Sequence, residues 1–185
     1  MPTTRILRYI EFSLRCYVCT MLTSYGVGKI LGGQFYRKGN IPEAIAQTKL
    51  LDVTGFDLAW TFFGYSEAYV FFIGVSQIIG SVLLLFNRTK LLGALVLVPV
   101  LLNIIMVDLT FQISWGALMS ACIYLSSLLV VLWLNKRRIL KALQVLTGEG
   151  RVIGMRRKWM PWAVAMIAVA VLITVENTLL NWVGR

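Results

Sequence analysis

The chain has 185 residues, of which 58% are hydrophobic and only 14% charged, and its mean hydropathy is +0.78. Soluble domains carry roughly 25% charged residues, so this composition points to an integral membrane protein of one domain. The formal net charge is +10 without a single histidine, which excludes haem ligation by histidine, histidine-based zinc sites and Ser-His-Asp catalysis.

The basic residues lie between apolar runs, most densely at 136–141 and 156–158. That is the distribution of cytoplasmic loops, so the partner they imply is the anionic headgroup layer and not nucleic acid. No metal-ligand set is expected, and no cleavable leader is read at the start, where the first apolar run carries Glu11 and Arg15.

The first predicted span covers 9–31, with Arg5 and Arg8 before it, which places the N-terminus in the cytoplasm. Glu11 and Arg15 are four apart and can pair on one helix face. Arg15 is expected to snorkel toward the inner interface, and Lys29 toward the outer headgroups. Cys16 and Cys19 have the C-x-x-C spacing of a thiol pair, although apolar surroundings favour inert thiols.

Residues 36–66 form a long outer connection. Its early part, 43–51, mixes charged and apolar residues as a short amphipathic helix does. Its end, 60–65, is aromatic and suits the headgroup belt. A helix packed on the bundle is the simpler reading of this segment, and a lid or binding element is the other.

The second span, 68–86, carries Gly74, Ser76, Gln77, Gly80 and Ser81, a tightly packed or polar face. The third, 91–113, holds Pro99, Asn103, Asp108 and Gln112. The fourth, 115–134, begins on Trp115 and has Trp133 about 27 Å further along, close to the thickness of a bilayer core. A basic linker, 136–158, leads to a fifth span at 159–185 that contains Glu176, Asn177 and Asn181. The basic counts then predict five crossings, with the N-terminus inside and the C-terminus outside, in a bacterial inner membrane.

Counting helical rise puts Asp108 and Glu176 roughly 25 and 21 Å above the inner boundary, with Lys29 near the outer interface. Asn103 and Gln77 fall nearer mid-depth. Asn103 and Asp108 diverge by about 140° around the helix, whereas Asp108 and Gln112 share a face. The candidate polar pocket is therefore Asp108, Glu176, Lys29, Asn103, Gln77, Asn177 and Gln112. Intramembrane acids of this kind either serve function or pair internally and hold a bundle together. Both readings stand.

The segments YGVGKILGGQF (25–35), FFGYSEAYVFFIGVSQIIGSVLLLFNRTKLLGALVL (62–97) and NIIMVDLTFQI (103–113) resemble the DoxX-like family of small bacterial membrane proteins. The resemblance covers roughly residues 10–135. It implies an all-α fold: a DoxX-like four-helix transmembrane bundle over 1–135, extended here by the linker and a fifth helix. Some members of that family are linked to quinone-coupled oxidation of sulfur compounds or to oxidative-stress complexes. Related families include a vitamin-K-dependent carboxylase and helpers of membrane or secreted cargo.

The expectation is accordingly a membrane subunit of a redox system that binds a quinone-like or other amphiphilic ligand. It has no covalently attached cofactor and a membrane or redox protein as partner. A non-enzymatic assembly factor or scaffold is the alternative, and a small proton-coupled transporter the third. Whether the chain is an enzyme is left open by its sequence.

Overall fold

The computed structural model describes the backbone of residues 2–147 and 160–183, and the side chains of 5–147, 165–175 and Thr178. Among the described residues the structure is entirely helical, with α1 (Pro2–Ile30), α2 (Glu43–Ala46), α3 (Gly55–Gly64), α4 (Glu67–Leu85), α5 (Lys90–Thr110), α6 (Trp115–Leu134), α7 (Lys136–Thr147) and α8 (Met160–Val183). The chain divides into two units, Met1–Lys141 and Ala142–Arg185.

In the first unit, α1 packs on α4 and α6, and α5 packs on the same two helices. The four therefore enclose one interior. Its core is Val18 and Leu22 from α1, Leu84 from α4, Ala94, Leu97 and Leu101 from α5, and Ala121, Tyr124 and Leu128 from α6. Glycines set how closely these helices approach. A Cβ on Gly26 would stand 2.8 Å from the Gly74 carbonyl oxygen, and one on Gly93 would stand 2.7 Å from that of Gly80. The small-residue face expected on the second span is thus where α4 meets both α1 and α5.

Helices α4, α5 and α6 are long and apolar enough to cross a membrane. Their 19, 21 and 20 residues rise about 28–32 Å. Their outward faces leave Phe71, Phe72, Ile79, Leu95, Leu102, Met106, Ile123 and Leu129 exposed. In water such surfaces would drive association; in lipid they are the expected contact. The chain is an all-α membrane protein.

Serine and threonine side chains begin α3, α4 and α6. The Thr54, Ser66 and Ser114 hydroxyls accept the amides of Asp57, Tyr69 and Ala117, supplying N-terminal groups that the helix leaves unpaired. Pro99 lies within α5. Having no N–H, it leaves the Leu95 carbonyl without its helical partner, but α5 continues through it.

Two expectations about element bounds change. The first helix begins at Pro2 rather than near residue 9. The 43–51 segment forms a helix only over Glu43–Ala46, with no buried residue, because Gln47–Asp52 turn away in successive short-range hydrogen bonds. In the second unit, α8 covers the predicted fifth span, and its described apolar stretch is Ala165–Val175. The part of the linker at 148–158 is outside the described residues.

Candidate functional site

Two buried polar groups of residues distinguish the first unit. The first joins the N-terminal half of α1 to the turn between α4 and α5 and to the end of α6. Lys90 Nζ donates to Glu11 Oε1 at 2.5 Å, and Asn135 Nδ2 donates to the same oxygen at 3.2 Å. Arg15 Nη1 stands 3.6 Å from that oxygen.

The guanidinium also closes the C-terminus of α4. Its Nε donates to the Leu84 carbonyl at 2.8 Å, Nη2 donates to the Leu85 carbonyl, and Nη1 donates to Asn87 Oδ1 at 2.8 Å. Arg15 is only 2% exposed, so it does not snorkel as its sequence position suggested. The carbonyls of a neighbouring helix end hold it inside the bundle, where each of its three nitrogens donates a hydrogen bond. Every ion in this cluster has a partner.

The second group lines a cavity of about 490 Å³ between α1, α4, α5 and α6, bordered by α3 and the chain at Gln34 and Phe35. Its walls are mainly apolar and aromatic. The polar side chains reaching it include Lys29 from α1, Gln77 from α4, Asn103 and Asp108 from α5, and Ser120 and Tyr124 from α6.

Here the partners are missing. Both amide atoms of Gln77 and Asp108 Oδ2 are buried without a hydrogen-bond partner among the described residues, as is Ser81 Oγ four positions beyond Gln77. An unsatisfied buried group of this kind costs about 1–3 kcal/mol.

Lys29 is 6% exposed and Asp108 8% exposed. Both line the cavity, but among the described residues the direct ion pairs are those of Glu11. Lys29 Nζ lies 5.9 Å from the centre of the Tyr25 ring. It thus points into the cavity, not to the headgroups, because the backbone turns after Ile30 and Arg37 Nη2 occupies the end of α1 by donating to the Lys29 carbonyl at 2.7 Å.

The cover is an aromatic sheet of rings. Phe35 packs edge-on against Trp60 at 5.3 Å between centroids, Phe56 stacks on Trp60 at 4.2 Å, and Phe63 stacks on Tyr69 at 6.2 Å. Phe35 has φ 73°, a left-handed backbone that a bulky side chain adopts at a cost of about 1–3 kcal/mol.

Two glycines seat α3. A Cβ on Gly55 would meet the Phe111 carbonyl oxygen at 2.6 Å, and one on Gly64 would run into the Tyr36 backbone. Tyr36 also donates its amide to the Trp60 carbonyl at 3.2 Å and its hydroxyl to Asp57 Oδ1 at 3.1 Å. Burial and that hydrogen bond to the Asp57 carboxylate push the Tyr36 phenol above its ordinary range.

Of the seven residues expected at a polar pocket, Lys29, Gln77, Asn103 and Asp108 line this one cavity. Gln112 does not. Helix α5 ends at Thr110, and Gln112 sits in a tight turn with φ 50°, so the shared helical face with Asp108 does not extend to it. Gln77 makes no bond with Asn103, the partner its depth suggested. Glu176 and Asn177 lie on α8, and their side chains, like that of Asn181, are outside the described residues.

Cys16 and Cys19 are free thiols, Cys19 being buried with its Sγ 3.9 Å from Thr23 Oγ1. The aromatic segment at 60–65 belongs to the cavity cover rather than only to an interfacial belt. Its composition was a visible signal. For Tyr25, Tyr124 and Lys90 nothing in the local sequence marked the role.

No family model and no solved structure matches the chain. Over 131 residues it is 34% identical to a protein of Bacillus subtilis (strain 168) described as "Uncharacterized protein YwoB", a match that spans 71% of this chain and 80% of that one. That identity over most of both chains places this protein in the same family as YwoB.

Proposed function

We propose that the chain is an integral membrane subunit of a redox system that binds a quinone-like or other amphiphilic ligand within the α1–α4–α5–α6 bundle. The observation that carries this reading is the cavity itself: about 490 Å³ of mainly apolar space with Lys29, Gln77, Asn103 and Asp108 converging on it. Pockets of this size, apolar with a few placed polar groups, are the usual form of small-molecule sites. The apolar α4 and α5 side chains suit the hydrocarbon of such a ligand, and the acid and lysine supply the cavity's ionisable groups for proton exchange.

The bundle is read as DoxX-like, on the strength of the segments at 25–35, 62–97 and 103–113. The protein is placed in a bacterial inner membrane with five crossings, its N-terminus in the cytoplasm and its C-terminus outside. Helix α7 supports the assignment of the inner face. Arg137, Arg138, Lys141 and Gln144 fall on one side of it and Ile139, Leu140, Leu143 and Leu146 on the other, the pattern of a helix lying on anionic headgroups.

The direct test is the reduction and reoxidation of a decyl-benzoquinone by membranes carrying the parent chain or Asp108→Asn. A drop in rate with Asp108→Asn supports the reading, and equal rates in parent, variant and chain-free membranes overturn it.

One observation favours a scaffold as the second reading. The outer connection exposes Leu50, Leu51, Phe62 and Tyr65, an apolar surface suited to a membrane partner. Cross-linking from this segment that recovers one stoichiometric partner protein, with no quinone turnover, would favour it.

A further inference from the structure

Gln77 is the least explained side chain in the bundle. It stands at the middle of the 19-residue α4, is 1% exposed, lines the cavity, and neither its amide nitrogen nor its amide oxygen has a partner. Buried amides are normally paired, and in a membrane interior there is little else to pair them. We infer that the ligand enters with its polar end inward, and that this end is an uncharged head bearing a carbonyl or hydroxyl group, held by the Gln77 amide at mid-depth.

The inference rests on the cavity being a ligand site and specifies what that site takes. An amide offers both a donor and an acceptor. A carbonyl accepts from Nε2, and a hydroxyl donates to Oε1, so the same side chain serves either. A charged head at this depth would need an opposite charge beside it.

The charges that line the cavity are Lys29 and Asp108, of opposite sign. They sit toward the other end, in the last turn of α1 and the last turn of α5. Among the described residues no ion lines the cavity at the level of Gln77. A phospholipid would therefore set its head at Lys29 and Asp108 and bring only hydrocarbon to Gln77, leaving the amide as unpaired as before. A neutral head with a short or flexible tail satisfies it.

The test uses the full-length chain in mild detergent, with Gln77→Met replacing the amide by an apolar group of similar length. Two probes are measured by equilibrium dialysis, a decyl-benzoquinone and a lysophosphatidylglycerol, and thermal midpoints are recorded without probe. The expected result is an unchanged or higher midpoint for Gln77→Met, about tenfold or greater loss of affinity for the quinone, and unchanged affinity for the lysophospholipid.

Equal quinone affinity in parent and variant overturns the inference, as does a parent that binds the lysophospholipid alone; the cavity reading survives both. A lowered midpoint or an unfolded Gln77→Met also overturns it, since the amide would then be holding helices together. A parent that binds neither probe overturns the ligand site itself and the inference with it.

Discussion

The two polar regions of the bundle differ in one respect, whether their groups are answered. Around Glu11, the carboxylate, two cations and an asparagine satisfy one another, and the Arg15 fork also closes the end of α4. Around the cavity, the Gln77 amide and one oxygen of Asp108 are buried without a hydrogen-bond partner among the described residues. A satisfied buried network fixes which helices meet and in what register. An unsatisfied one costs stability and calls for a partner from elsewhere. The contrast separates a paired polar region from an unpaired one within the same four helices.

The largest effect should come from breaking the satisfied side. Glu11→Ala leaves Lys90 and Arg15 buried without their carboxylate and is expected to cost about 3–5 kcal/mol, seen as a fall in thermal midpoint and in folded yield from detergent. Arg15→Lys keeps the charge but loses the fork that reaches Leu84, Leu85 and Asn87, at about 1–3 kcal/mol, read by the same melt.

Gly64→Val forces α3 off the Tyr36 backbone and should cost about 1–3 kcal/mol. Its distinguishing readout is faster hydrogen exchange confined to Gly55–Gly64, with weaker quinone binding. Asp108→Asn breaks no direct ion pair, so its stability should change by about 1–2 kcal/mol at most while quinone turnover falls. Cys16→Ala should be smallest, within about 0.5 kcal/mol and with turnover unchanged. A stability loss for Asp108→Asn as large as that for Glu11→Ala would erase the distinction between the two regions.

The membrane helices were plain in the sequence because long apolar runs have few other fates. The fourth predicted span and α6 share the bounds Trp115–Leu134, and the second and third match α4 and α5 to within about three residues at either end. Counting helical rise set Asp108 and Lys29 toward the outer interface and Asn103 and Gln77 nearer mid-depth, and all four line one cavity.

What sequence spacing missed was pairing over long distances. Glu11 and Lys90 are 79 positions apart, and nothing local tells Lys90 from an ordinary basic turn residue. The expectation that Arg15 would snorkel failed for the same reason, because the carbonyls that receive it belong to α4, whereas Lys29 lines the cavity instead. Gln112 was misplaced by extending a helix two residues past its end at Thr110. The aromatic run at 60–65 was conspicuous, but only its folding over the bundle on Gly55 and Gly64 makes it a cover.

The claim that the cavity is a ligand site is tested most directly by native mass spectrometry of the full-length chain released from mild detergent. Val100→Trp, which places an indole among the cavity-lining residues of α5, is run beside it. The parent is predicted to carry a stoichiometric neutral amphiphile that the variant, folded to the same thermal midpoint, has lost. A parent without any such adduct, or a variant that retains it equally, would contradict the account.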